Sequence, residues 1–148
     1  MKTINPRRGP TQPDAPIIEL VAELEIARER LGLPHAVDPA LFEPLHVGVP
    51  HVECGPDGEL FYIVTERGLT LEKKQAHDLQ EMLYWLVQDL TFGMACTHEF
   101  RNRTDNSDCR RVIFSVQLEL LSQVSQVLRD RRAAEIEAIL AANPFVDR

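Results

Sequence analysis

Leu60-Phe61-Tyr62-Ile63-Val64-Thr65-Glu66-Arg67-Gly68-Leu69-Thr70-Leu71-Glu72-Lys73-Lys74, then Asp78-Leu79-Gln80-Glu81-Met82-Leu83-Tyr84-Trp85-Leu86, is the stretch whose reading decides the fold. Leu60 to Thr65 is the most β-prone run in the chain and is apolar at both parities, as a central strand buried on both faces should be. Arg67-Gly68 closes a hairpin, with Gly68 suited to the positive φ of a bulged turn. Leu69 and Leu71 alternate with Thr70 and Glu72 before Lys73 and Lys74 end that strand. Beyond Asp78 the spacing becomes helical: Leu79, Met82, Leu83, Leu86, Leu90 and Met94 share one face.

Upstream of this stretch, Leu45, Val47 and Val49 alternate with His46 and Gly48, and Pro50 confines that strand to an edge. Gly55-Pro56-Asp57-Gly58 is a turn cluster. A three-stranded antiparallel β-meander follows. Farther upstream, Ile17, Leu20, Val21, Leu24, Ala27 and Leu31 set out a first helix with an acidic back. Asp14 is placed to cap it, and Gly32 and Pro34 stop it. Residues 1–13, with Pro6, Pro10 and Pro13, are expected to be an irregular or mobile arm, and 14–148 one domain.

Downstream, nine of the ten prolines lie behind and no glycine follows Gly93, so the C-terminal half is free to be helical. The second helix is expected from about Asp78 to Arg103 and is apolar on more than one side, with Tyr84, Trp85, Phe92 and Cys96 off its main stripe. A third opens around Asp108. An unbroken helix from there to Ala142 would be about 50 Å long, too long for a domain of this size. The polar stretch Ser122 to Gln126 is therefore the expected break, with Ser125 capping a fourth helix that ends at Asn143-Pro144. The fold class is α+β: N-terminal helix, three-stranded meander, C-terminal bundle of about three helices.

The chain has 148 residues and a formal net charge of −7, which argues against coating nucleic acid or a polybasic membrane anchor. No apolar run approaches the roughly 18 residues of a membrane span. The N-terminus lacks the hydrophobic core of a secretory signal. Three cysteines, Cys54, Cys96 and Cys109, form no CxxC and fit free thiols in a reducing compartment, so a cytoplasmic location is expected.

Phosphate-binding and nucleophile-elbow motifs are absent from the sequence. His98-Glu99-Phe100-Arg101-Asn102 begins like a zinc-hydrolase motif but places Asn102 where the second ligand must stand. The other histidines are scattered, and His46 and His51 have opposite parity. No catalytic residue, metal or cofactor is expected. Cys96 and Cys109 flank one interhelical turn and read as packing residues in preference to a redox pair.

Charge is segregated. Between Asp38 and Glu99 eleven acidic residues face only Arg67, Lys73 and Lys74. The expected docking face lies here, with Asp57, Glu59, Glu72, Asp78, Glu81 and Asp89 as candidates for a basic partner. Trp85 sits on the wheel near Asp78, Glu81 and Asp89, and is either a second core face or an aromatic anchor within that face. Glu99, Arg103, Asp108, Arg110 and Arg111 form the densest polar cluster, read as ion pairs and caps fixing the turn between the second and third helices.

Several segments in order resemble the immunity protein 63 family of bacterial polymorphic toxin systems: Tyr62 to Gly68, Leu83 to Leu86, Thr91 to Ala95, Glu99 to Arg103, Asp108 to Arg111, Phe114, Gln117, Leu120-Leu121 and Asn143-Pro144-Phe145. The likeness covers roughly Phe61 to Asp147. It departs at Gln126-Val127-Leu128, where such proteins often carry Pro and Trp. The resemblance implies a non-enzymatic antitoxin that binds a cognate secreted toxin domain and neutralises it by occlusion. Acidity fits a basic toxin acting on nucleic acid or another anionic substrate; this chain itself is expected to touch neither nucleic acid nor membrane. A small acidic adaptor or chaperone for a secretion effector is the alternative.

Overall fold

A computed structural model describes residues 15–148. The expected arm and the Asp14 cap lie outside the described residues. Helix α1 (Ala15–Arg30) is followed by a single 3-10 turn (Pro39–Phe42) and strands β1 (Val47–Cys54), β2 (Leu60–Glu66) and β3 (Leu69–Gln75). Helices α2 (Leu79–Arg101), α3 (Arg110–Val124) and α4 (Gln126–Ala142) complete the chain. The sheet is an antiparallel meander in the order β1-β2-β3. The expected α+β architecture is therefore observed.

The period change at Asp78 is a helix start in the structure. Asp78 is extended and its carboxylate accepts from the Glu81 amide at 2.8 Å, while Glu81 accepts from the His77 amide at 3.0 Å, a reciprocal cap at the α2 N-terminus. The break in the last helical stretch falls where expected: Ser125 is extended, ends α3 and caps α4. Leu20, Leu24 and Ala27 of α1, Val52, Leu60 and Tyr62 of the sheet, and Met82, Leu83, Leu86 and Val87 of α2 form the main core, closed by Leu121, Val124 and Leu128. A smaller cluster of Ala95, Ile113, Phe114 and Ile136 joins the far ends of α2, α3 and α4.

Two local readings differ from expectation. The β2–β3 turn is a two-residue turn in which both Arg67 (φ 51°) and Gly68 (φ 78°) are left-handed, and Glu66 pairs directly with Leu69. The bulge lies farther along, where Leu71 is the extra residue between Thr70 and Glu72. In β1 a second irregularity between Val47 and Pro50, with positive φ at His46 and Gly48, resets the alternation. Leu45, Val47 and Val49 are therefore exposed, and His51 and Val52 are the buried pair.

Polar groups bind the bundle internally. Gln117, fully buried, donates to the Gln88 carbonyl (3.1 Å) and accepts from Arg132 Nε (3.0 Å). Arg132 lies 3.6 Å from the Glu135 carboxylate, which also accepts from the Tyr84 hydroxyl. One connected network thus joins α2, α3 and α4, as buried polar groups require.

Candidate functional site

The seven residues expected on the docking face fall into three groups. Asp57, Glu59 and Asp78 line a hollow of about 380 Å³ between the β1–β2 turn and the start of α1, together with Glu19. There the Glu59 carboxylate accepts from the Asp57 amide (3.1 Å), and the Gly55 amide donates to the Glu59 carbonyl (2.7 Å). Asp78 is the α2 cap. Glu81 faces α4, where Arg131 approaches at 3.6 Å.

Glu72, Trp85 and Asp89 come together at the β3 side of the sheet. Packing α2 across β2 sets Trp85 against Tyr62, edge to face with centroids 5.9 Å apart. One helical turn on, Asp89 accepts from the Tyr62 hydroxyl at 2.6 Å. Lys74 of β3 closes the group. Its Nζ lies 4.1 Å from the Trp85 ring centroid and 4.6 Å from that of Tyr62, and 3.5 Å from the Glu72 carboxylate. Trp85 is half-buried, so it packs on the core with one side and carries the lysine on another. Asp89 is exposed as a residue, yet desolvation of its carboxyl against Tyr62 raises its pKa, only partly offset by the hydrogen bond and by Lys74. The Tyr62 hydroxyl is held well above the ordinary tyrosine range, first by burial and then by Asp89. A proton stays on Tyr62, and the pair is a donor fixed on an acceptor.

Beside this group the sheet presents uncovered apolar surface. Leu69 is 67% and Leu71 58% exposed. Register places Val47, Glu66 and Leu69 in one row across the three strands at the hairpin end, and Val47 is exposed too. Nothing in the sequence reading marked Tyr62, Lys74, Leu69 and Leu71 as parts of one surface. The signal was present in the consecutive aromatic pair Phe61-Tyr62 and lysine pair Lys73-Lys74 on facing strands.

The polar cluster at the α2–α3 turn is tied to the C-terminal segment. Asp108 accepts from the Arg110 amide (3.0 Å), the Arg110 guanidinium (2.8 Å) and the Val146 amide (3.0 Å). These bonds hold its carboxyl far below the usual range. Arg110 also donates to the carbonyls of Asn143 and Pro144, and Arg111 forms a two-pronged pair with Asp147 at 3.0 and 2.8 Å. Glu99, buried, takes both prongs of Arg103. Residues 143–147 are strapped to the turn by these contacts.

Cys96 and Cys109 line one hollow at the same end, and burial raises the Cys96 thiol. Among the described residues no two cysteines are joined as a disulfide, no three His, Cys, Asp or Glu side chains gather as a metal site, and no helix is long and apolar enough to cross a membrane.

No curated protein and no solved structure matches the chain significantly. The sequence model of immunity protein 63 matches residues 57–138, more than half of the chain, from the β1–β2 turn into α4. That span holds β2, β3, α2 and α3 entire, including Tyr62, Lys74, Trp85 and Asp89, and on this match the chain belongs to the immunity protein 63 family.

Proposed function

We propose that the chain is an antitoxin that binds a cognate secreted toxin domain in the cytoplasm of the producing cell and neutralises it by occlusion, without catalysis. The observation that carries this reading is the Trp85 group: a half-buried aromatic ring with Glu72 and Asp89 beside it, next to exposed Leu69 and Leu71. A partly covered aromatic anchor within a polar surround is the usual composition of an energetic centre in a protein interface. The acidic excess from Asp38 to Glu99 favours a basic toxin surface, as expected of an enzyme whose substrate is nucleic acid or another anion.

Of the acids, Asp78 and Glu81 serve the α2 cap and Glu59 its own turn. Asp89 holds the Tyr62 hydroxyl, and exposed Asp57 and Glu72, the latter 3.5 Å from Lys74, are left to act by long-range charge. Co-expression with the toxin domain encoded beside this chain, scored by survival, tests the function. Rescue supports neutralisation; a stable complex without rescue would favour an adaptor. In binding kinetics, Glu72→Lys and Asp57→Lys should slow association at low salt and flatten its salt dependence, leaving dissociation nearly unchanged. Unchanged association at low salt overturns the acidic-face assignment.

A further inference from the structure

The two edges of the meander are defended differently. The Gly55 amide donates to the Glu59 carbonyl. By the alternation of an antiparallel ladder, His51 and Glu53 then bond inward to Ile63 and Phe61, and Pro50 faces outward. The β1 edge thus lacks an amide at Pro50 and is kinked by the irregularity before it, two standard guards against strand addition. On the other side the Ala76 amide donates to the Leu60 carbonyl at 2.8 Å. The same alternation keeps Lys74 and Glu72 bonded to Tyr62 and Val64, and turns the amides and carbonyls of Lys73 and Gln75 to the free edge. Among the described residues no strand pairs there.

Lysines usually guard such an edge by projecting over it. Here they are drawn back, one onto each face of the sheet: Lys73 Nζ lies 4.8 Å from the Phe61 centroid, and Lys74 lies over Tyr62 and Trp85. The bulge at Leu71 limits the regular edge to Glu72–Gln75, with exposed Leu69 and Leu71 at its end.

We propose that the β3 edge from Glu72 to Gln75 accepts an extended, basic segment of the toxin domain as a fourth strand, bonded to the main chain of Lys73 and Gln75. This rests on the antitoxin reading. Main-chain pairing supplies affinity, and the neighbouring side chains supply selection. A second copy of this chain is the other conceivable strand donor. Eight acidic residues against Arg67, Lys73 and Lys74 between Val47 and Leu90, on a chain of net charge −7, set two copies against each other and favour a basic donor.

The experiment is amide hydrogen exchange of the full chain, alone and with its catalytically inactivated cognate toxin domain, beside binding by Lys73→Pro, Gln75→Pro and Lys73→Ala. The Lys73 and Gln75 amides should exchange freely in the chain alone and gain at least about 100-fold protection in the complex. Either proline, which removes an outward amide without touching the β2–β3 ladder, should weaken the complex at least about tenfold while leaving the melt close to wild type, and Lys73→Ala should bind nearly normally. A complex in which both amides still exchange freely overturns the edge assignment and leaves the antitoxin reading standing. Protection that grows with concentration in the chain alone assigns the edge to a second copy and also overturns it. A wild-type chain that forms no complex with that toxin overturns both.

Discussion

Lys74 and Trp85 are stacked, with the ammonium 4.1 Å from the ring centroid. The contact joins β3 to α2 across the surface of Tyr62, and it leaves half-buried Trp85 packed on the core with one side and capped by a lysine on another. A cation over an indole face contributes about 0.5–1 kcal/mol at an exposed site. The larger consequence is positional: a side chain that would cover the sheet edge is held on the sheet face.

Trp85→Ala is therefore expected to act on stability and on binding together. Losing a half-buried indole and its edge-to-face contact with Tyr62 should cost about 1–3 kcal/mol, less than truncation of a fully buried Trp. Dissociation from the toxin should also speed up, whereas Trp85→Phe should retain most of the stability. A thermal melt and dissociation kinetics on both variants check this. A stability loss with unchanged dissociation makes Trp85 solely a core residue.

Arg67 adopts the left-handed conformation at the first central position of a two-residue hairpin. A side chain with a Cβ pays for that conformation, and Asn tolerates it best among non-glycine residues. Arg67→Asn should raise stability by about 0.5–1 kcal/mol, measured by denaturant midpoint. A decrease would mean that the arginine side chain supports the turn.

The meander, the change to helical period at Asp78 and the helix break at Ser125 were legible because each rests on a local rule: strand propensity, periodicity and capping. The inward face of β1 was not. Parity counted from Val47 and Val49 points the wrong way once the chain bulges between Val47 and Pro50, and only positive φ at His46 and Gly48 reveals it. Arg132, Gln117 and Glu99 were missed as interior residues for another reason. Polar side chains on an amphipathic helix read as solvent-facing unless their partners, here on other helices or a turn away, are known. For the site, the acidic excess and Trp85 were visible, but which acids the fold itself consumes is a tertiary fact.

Arg132 tests that interior network. Arg132→Ala leaves the Gln117 carbonyl oxygen without its donor and removes the cation beside Glu135. The expected loss is about 1–3 kcal/mol. Arg132→Met, which restores volume without charge, should recover part of it, since apolar replacement of buried ionic groups is often well tolerated. Chemical denaturation of the two variants decides this, and equal losses would assign the effect to the hydrogen bond alone.

The two tyrosines of the chain give a pH-dependent signature. Tyr62 donates to Asp89 and Tyr84 to Glu135, and both hydroxyls are raised far above their ordinary value of 10.0, first by burial and then by the accepting carboxylate. Folding therefore holds these protons more tightly than the unfolded chain does. The stability contributed by such groups is complete below pH 10 and is lost as pH rises above it, because the unfolded chain releases protons that the native one retains. In an alkaline titration followed by tyrosinate absorbance, no native step should appear near pH 10. Both tyrosines should ionise together, at the pH where circular dichroism reports unfolding. Tyr62→Phe should leave one ionisation in that step and soften the alkaline loss of stability. A tyrosinate signal near pH 10 with the fold intact would show that at least one of the two hydroxyls is free, and in the Tyr62→Phe variant its persistence would assign that signal to Tyr84.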